Sequence, residues 1–251
     1  MPGSMRIGTA GWSIPARYAT VFPGDGSHLA RYARRLPAVE INSSFYRPHR
    51  PQTYARWAAS VPADFRFAVK VPREITHRRR LVDVAAPLDT FLDGVRHLGD
   101  RLGPLLVQLP PSLRHEPPVA VAFLTMLRAR FAGDVVCEPR HPSWFTDEVD
   151  RMLQRFRVAR VAADPAPVPR AAEPGGWPGL VYWRLHGSPE MYHSAYSAQV
   201  LAAIARRLQE SAARRQCVWC ILDNTADGAA TGDALSLFAG PPPAGASRSV
   251  A

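Results

Sequence analysis

Apolar residues gather in eight short runs, at 6–9, 38–41, 66–70, 104–108, 135–137, 158–162, 180–185 and 217–222. Most are continuous rather than alternating, as expected of strands covered on both faces within a parallel sheet. Between them, hydrophobic positions recur at helical spacing. Ser27 can cap a helix with Leu29, Tyr32, Ala33 and Leu36 on one stripe. Pro87 opens another, with Leu88, Phe91, Leu92, Val95 and Leu98 in register. The pattern predicts further helices over 52–59, 119–130, 146–156, 197–211 and 228–238. One crossover departs from the rule. Residues 164–179 hold Pro165, Pro167, Pro169, Pro174 and Pro178 with three glycines, which predicts an irregular Pro/Gly-rich loop.

Eight strands and seven helices in strict alternation predict an α/β fold, a (β/α)8 TIM-type barrel, as a single domain over 1–239. Residues 240–251, rich in Pro, Gly, Ser and Ala, are expected to be a disordered tail. The competing architecture is an open doubly wound sheet, which would carry a glycine-rich phosphate turn. Gly8-Thr9-Ala10-Gly11-Trp12 lacks the third glycine of that turn, and no P-loop or G-x-S-x-G elbow occurs. A length of 251 residues suits one barrel. No run reaches the roughly 18 apolar residues of a membrane helix, and residues 1–11 lack the pattern of a secretory leader. A cytoplasmic protein that does not engage membranes is expected. Met5 is a second candidate start, which would make residues 1–4 an extraneous addition before the natural first residue.

Charge changes the picture through residue choice more than through its sum. The net charge is +10, but thirty of the 31 basic side chains are arginine and Lys70 is the only lysine. Asparagine occurs only at Asn42 and Asn224. Such a skew reflects codon usage that replaces Lys and Asn wherever a substitute serves, so the positions that keep them are informative. Cysteine adds little. Cys217 and Cys220 form a C-x-x-C, but they lie in a predicted strand that sends the thiols to opposite faces, against a zinc site.

Chemistry in a barrel gathers where strands end. Those positions hold Trp12, Glu40, Asn42, Lys70, Gln108, Glu138, Arg140, His141, Asp164, Arg184, His186, Asp223 and Asn224. The lone lysine and both asparagines fall in this set. Glu40 and Asn42 share one strand face, as do Arg184 and His186, so each pair points into one mouth. Lys70, Glu138, His186 and Asp223 are the candidate catalytic groups. The remainder, with Tyr46, are candidate substrate-binding groups. The bland alternative is a salt-bridge lattice closing the barrel top, with Lys70 on Glu138 and Arg184 on Asp223.

These segments also resemble a known family. Gly8-Thr9-Ala10-Gly11-Trp12, Val39-Glu40-Ile41-Asn42-Ser43-Ser44-Phe45-Tyr46, Phe67-Ala68-Val69-Lys70-Val71-Pro72 and Ile75-Thr76-His77 are similar to the YecE-like proteins, domain-of-unknown-function family 72. So are Gln108-Leu109-Pro110-Pro111, Glu138-Pro139-Arg140-His141-Pro142-Ser143-Trp144, Arg184-Leu185-His186-Gly187 and Asp223-Asn224-Thr225. The resemblance implies a TIM-type barrel and supplies no reaction. The proline-rich loop after Asp164 is the main departure.

The residue set suits an enzyme of hydrolase, isomerase or lyase type. Carboxylates, imidazoles and one amine provide general acid–base groups, and Arg140 and Arg184 match a phosphate or carboxylate on the substrate. Trp12, Phe45, Tyr46, Trp144 and Tyr192 could wall a sugar-like or heterocyclic ligand. Lys70 as a Schiff-base nucleophile ranks lower, because nearby carboxylates are expected to hold the amine protonated. No cofactor is predicted. A divalent metal on Glu138, Asp164, His186 and Asp223 is an alternative without a recognised ligand spacing. A second functional class is nucleic-acid binding or phosphoester cleavage through the basic loop Thr76-His77-Arg78-Arg79-Arg80, for which a solvated arginine run is the preferred reading. A third is a non-catalytic barrel. Oligomeric state is not encoded in any motif.

Overall fold

The continuous apolar runs become parallel strands buried on both faces, with amphipathic helices outside them. The computed structural model describes residues 4–214 and 216–239. In order these form β1 (Met5–Ala10), α1 (His28–Ala33), β2 (Ala38–Ile41), α2 (Pro51–Ala59), β3 (Arg66–Lys70) and α3 (Ala85–Val95). There follow β4 (Leu102–Gln108), α4 (Pro117–Arg130), β5 (Val135–Glu138), α5 (Asp147–Arg155), β6 (Val158–Arg160) and β7 (Ala162–Asp164). The chain continues with β8 (Gly175–Gly176), β9 (Leu180–Leu185), α6 (Ala198–Ala213), β10 (Cys217–Leu222) and α7 (Ala229–Ala239). The expected tail at 240–251 lies outside the described residues. Among the described residues no helix is long and apolar enough to cross a membrane.

Local signals explain the helix starts. The side chains of Ser27, Thr146 and Ser197 accept hydrogen bonds from the backbone N–H groups of Ala30, Val149 and Val200. Each satisfies one of the orphan donors of a first turn. Thr146 is thus a cap rather than the first helical residue. Pro87 sits in the first turn of α3, which begins at Ala85, where its missing N–H costs nothing.

The strand order is β7-β9-β10-β1-β2-β3-β4-β5-β6-β8, a TIM-type barrel in which β6 and β7 together make the sixth stave. The predicted run 158–162 is therefore split, and it extends to Asp164. Its first half pairs with β5, ending at Cys137 opposite Arg160. Because β5 stops at Glu138, the chain crosses to β9 and pairs Ala162 with Trp183 through Asp164 with Leu185. That switch leaves one edge of β6 unpaired. The crossover after Asp164 fills it, since β8 lies antiparallel there with Gly176 opposite Ala159. Gly176 has φ 65°, and a Cβ there would collide with the Val158 carbonyl. The crossover has no α-helix, as its prolines predict, only a short 3-10 turn at Pro169–Ala172.

An ion cluster staples this loop to the barrel. Arg160 on β6 points outward and donates to Asp150 on α5 at 2.9 and 3.2 Å and to the carbonyls of Arg170 and Glu173 at 3.1 Å. Arg170 and the Gly176 N–H also donate to Asp150. Burial alone would raise the Asp150 pKa, but Arg160 and Arg170 hold it below the usual range. Asp150→Ala strands Arg160, which is 2% exposed, and is expected to cost roughly 3 kcal/mol in urea denaturation. Faster cleavage within 165–176 in limited proteolysis should accompany it. Unchanged stability and cleavage would show the staple to be unnecessary.

Two apolar layers result. The outer one, between strands and helices, includes Phe67, Leu105, Leu185 and the α3 stripe Leu88, Phe91, Leu92 and Val95. The barrel interior holds Ala38, Ala68, Leu106, Val136, Ala159, Tyr182, Trp219 and Ile221. Small residues on three strands leave space for Tyr182 and Trp219, whose rings stack at 5.9 Å. Cys220 joins the outer layer and Cys217 packs on the inner one, so the C-x-x-C thiols do lie on opposite faces.

Candidate active site

Side chains alternate along each strand, so the parity that puts Ala38, Ala68, Val136, Tyr182 and Ile221 inside also puts Glu40, Lys70, Glu138, Arg184 and Asp223 inside, one step higher. This polar layer caps the dry interior at the C-terminal ends of the strands. Arg184 is its centre and is fully buried. Its Nη2 and Nε donate to the two Glu40 oxygens at 2.8 and 3.1 Å, and its Nη1 donates to Glu138 Oε2 at 2.7 Å. Nη2 also reaches Asp223 Oδ2 at 2.9 Å. Below, the Tyr182 hydroxyl donates to Glu40 Oε2 at 3.0 Å.

His186 closes a second circuit. Its Nδ1 lies 3.0 Å from Asp223 Oδ2, and its Nε2 lies 3.1 Å from Glu138 Oε1 and 3.0 Å from Arg140 Nη2. Arg140 Nη2 in turn contacts Glu138 Oε1 at 2.5 Å. Ionised Asp223 only accepts, so Nδ1 carries a hydrogen. Nε2 then has two partners of opposite kind. As imidazolium it donates to Glu138; as neutral imidazole it accepts from Arg140. A proton moving here exchanges one contact for the other.

The charges are matched. Glu40, Glu138 and Asp223 face Arg184, Arg140 and Lys70. Burial alone would raise the Glu138 pKa, but Arg184, Arg140 and His186 hold it well below the carboxylate range. Asp223 is lowered in the same way, with Arg184, His186 and Lys70 outweighing burial. The guanidinium of Arg184 is pushed up, since its three carboxylates overcome the burial cost.

Lys70 is the exception within the layer. It is 6% exposed, and its ammonium makes no ion pair or hydrogen bond with any described residue. Its Nζ sits instead over the Phe45 ring at 4.2 Å. Burial and the neighbouring Arg184 lower its pKa to about 8, more than Glu40, Glu138 and Asp223 raise it. The expected Lys70–Glu138 bridge is therefore not formed, whereas Arg184 does pair with Asp223. The carboxylates do act to hold the amine protonated, but burial and Arg184 outweigh them, and at about 8 it is still mostly protonated at pH 7. Arg184 and Arg140 bind Glu138 with several directed N–H groups, and a single ammonium across the barrel is left without a partner.

The other expected residues take varied positions. Asn42, Gln108 and Asp164 are half-buried at the strand ends, without a side-chain hydrogen bond to a described residue in the case of Asn42, whose Oδ1 is buried and unpartnered. Arg140 Nε is likewise buried and unpartnered. Asn224 pins loops, donating to the Ser194 carbonyl and to Asp233 at 2.9 and 2.7 Å. His141 caps a short turn through Ser143. Trp12 packs edge-on against Trp57 of α2 at 4.9 Å, outside the charged cluster. Tyr46 is 68% exposed beside Phe45 and Arg73. Trp144 is buried and donates to the Leu113 carbonyl. Tyr192 stands edge-on to His186 at 5.7 Å, and His77 edge-on to Phe45 at 4.9 Å.

Sequence reading passed over Tyr182, although it shares parity with Arg184. Its aromatic character inside an apolar run hid it. Asp233, which holds both Asn224 and the Tyr196 N–H, lay in a helix far from any strand end. The ion that the carboxylates surround is the Arg184 guanidinium itself. Among the described residues no group of three His, Cys, Asp or Glu side chains is arranged to hold a metal. In the basic loop, Arg78 and Arg79 pair with Glu74, and Arg80 donates to Ser112. A cavity of about 530 Å³ lies beside the mouth between the ends of β1 and β10, lined by Thr9, Gly11, Ser13, His28, Thr225 and Thr231 among others. It does not reach the charged cluster.

Comparison with known proteins agrees with this architecture. The family described as "Protein of unknown function DUF72" matches residues 6–240. UPF0759 protein YecE of Escherichia coli K12 is 34% identical over 152 residues, covering 58% of this chain and 55% of that one. UPF0759 protein YunF of Bacillus subtilis is 27% identical over 152 residues, covering 56% and 52%. The matched stretch thus spans about half the length of these curated relatives. A crystal structure of a DUF72 family protein from Enterococcus faecalis superposes with TM-score 0.78 at 24% identity, covering 94% of both chains. One from Thermotoga maritima gives 0.76 at 23% identity, covering 94% and 98%. Both share the fold.

Proposed function

Taking as premise that the chain belongs to the DUF72 family of barrels, we propose that its strand-end polar layer is the acid–base site of an enzyme acting on a small anionic or sugar-like substrate. The observation that carries this reading is Lys70, an amine buried in the mouth without a partner while every charge around it is paired. A lattice built only for stability would gain by pairing it or by replacing it with an apolar side chain. A buried polar atom without a partner calls for an explanation such as a catalytic role or a bound group, and two of those in this chain, the Arg140 Nε and Asn42 Oδ1, lie at the same strand ends.

Roles follow from exposure. Arg184, Glu40 and Tyr182 form a fully buried floor that fixes the geometry. Lys70, Asp223 and Arg140 retain an edge toward solvent and are the groups a ligand can touch. Arg140 would hold the anionic part of the substrate. Glu138 and His186 lie behind them as proton-handling groups, because the two contacts of Nε2 differ by one proton.

The test is a thermal-shift and calorimetric screen of small phosphates, carboxylates and sugar phosphates. At least one is expected to bind, and Arg140→Met should weaken it roughly 10- to 100-fold by removing a charge-assisted hydrogen bond. The melting temperature without ligand should stay within about 3 °C, since Glu138 keeps Arg184. Equal affinity in the variant would remove Arg140 from the site, and a screen without any binder would sink the small-anion reading.

A further inference from the structure

We infer that Lys70 is a nucleophilic amine that condenses with a small carbonyl compound bearing a carboxylate or phosphate, forming an imine in the barrel mouth. The inference deepens the acid–base reading of this site and rests on it. Three observations lead there. The amine is isolated from hydrogen-bond acceptors and lies against an aromatic ring, so its lone pair, once free, is not committed to another group. It stands at the end of β3 in the same inward layer as Glu138, Arg184 and Asp223, with acids and bases across the mouth. Finally, the chain writes every other basic position as arginine. A guanidinium can supply charge or bidentate binding but stays protonated and is no nucleophile. What a lone lysine adds to thirty arginines is an amine that can lose its proton, and the lowering of its pKa to about 8 fits that use.

The step balances without an oxidant or reductant. The Nζ lone pair adds to the carbonyl carbon, and the π pair moves to oxygen, which takes up a proton. Nitrogen gives up a proton to water at the open edge of the mouth, since no acceptor among the described residues lies within hydrogen-bond reach of it. A second proton on the hydroxyl lets it leave as water, and the nitrogen lone pair closes the C=N bond. The protonated imine restores the positive charge that Lys70 lost. The cluster then again has three cations facing Glu40, Glu138 and Asp223. The anionic substituent would be taken by Arg140, whose Nε lacks a partner.

The single lysine makes the test unambiguous, since only Lys70 and the chain's α-amine can be trapped by reduction. The full chain would be incubated with pyruvate, dihydroxyacetone phosphate or ribose 5-phosphate and cyanoborohydride at pH 8, then read by intact mass and peptide mapping. One probe is expected to label Lys70 at least about tenfold faster in the folded protein than in urea, given the larger free-amine fraction at a pKa near 8. The rate should rise with pH to a midpoint near 8. Lys70→Arg should leave only α-amine labelling. Labelling no faster when folded, or absent with all three probes, would overturn the inference. Thermal shift with the same probes separates the two levels. Binding weakened by Arg140→Met but without trapping would defeat the imine and keep the acid–base site. Neither binding nor trapping would defeat both.

Discussion

Replacing Arg184 with methionine is expected to lower the melting temperature by roughly 10 °C at pH 7, from a loss of about 3–5 kcal/mol. Arg184 is fully buried and donates to Glu40, Glu138 and Asp223. Its removal leaves three carboxylates in a dry layer with Arg140, Lys70 and His186 as the basic groups nearby, and Glu40 without an ion pair. The pH dependence should change sign. In the wild type, Glu138 and Asp223 have folded pKa values below their unfolded ones. Their contribution is complete above the unfolded carboxylate range, near 4, and is lost as pH falls through the folded values. In the variant the unpaired carboxylates take up protons more readily when folded than when unfolded, so stability should rise as pH falls from 7 to 5. Thermal melts across that window check both claims. A variant within about 2 °C of wild type, or with the wild-type slope, would show that the ion cluster does not hold the barrel top together.

Replacing Lys70 with methionine is expected to do the reverse, stabilising the fold while abolishing function. The folded environment lowers the Lys70 pKa from 10.5 to about 8, chiefly by burial and then by Arg184. At pH 7 the protonated amine therefore weakens folding, by about 3 kcal/mol on the full shift. Methionine fills similar space without a charge, so a gain on the order of 2 kcal/mol is expected, or about 5 °C. The sign can be followed with pH. Between about 8 and 10.5 the unfolded chain keeps the lysine proton that the folded chain has lost, so wild-type stability rises there. The variant lacks that rise, and its advantage should narrow as pH increases through the window. A destabilised Lys70→Met would mean that the ammonium is a structural partner of the carboxylates. Such a stability cost at one position is what a site kept for chemistry shows.

Much of the fold was legible because its signals are local. Apolar runs of strand length, helical stripes and the cap at Ser27 each depend on a few neighbouring residues, and they sufficed for a (β/α)8 barrel. Side-chain parity, also local, brought Glu40, Lys70, Glu138, Arg184 and Asp223 to one face of their strands and so to one layer. Residue choice added the lone lysine, visible only against thirty arginines. Tertiary structure decided what each group does once there. The split of the sixth stave at Val161 follows from the length of β5, a neighbour in space. The ion pairs were settled by competition: Arg184 offers three nitrogens to three carboxylates around the barrel, and Arg140 lies two residues from Glu138. Lys70, with one nitrogen on β3, is left over. Trp12 and Asn224, marked by their places at strand ends, turn instead to Trp57 and Asp233, partners supplied by α2 and α7. Pattern along the chain fixes which face a side chain takes, because that is set by backbone geometry. Which partner it finds depends on distances across the barrel, which exist only after the ring has closed.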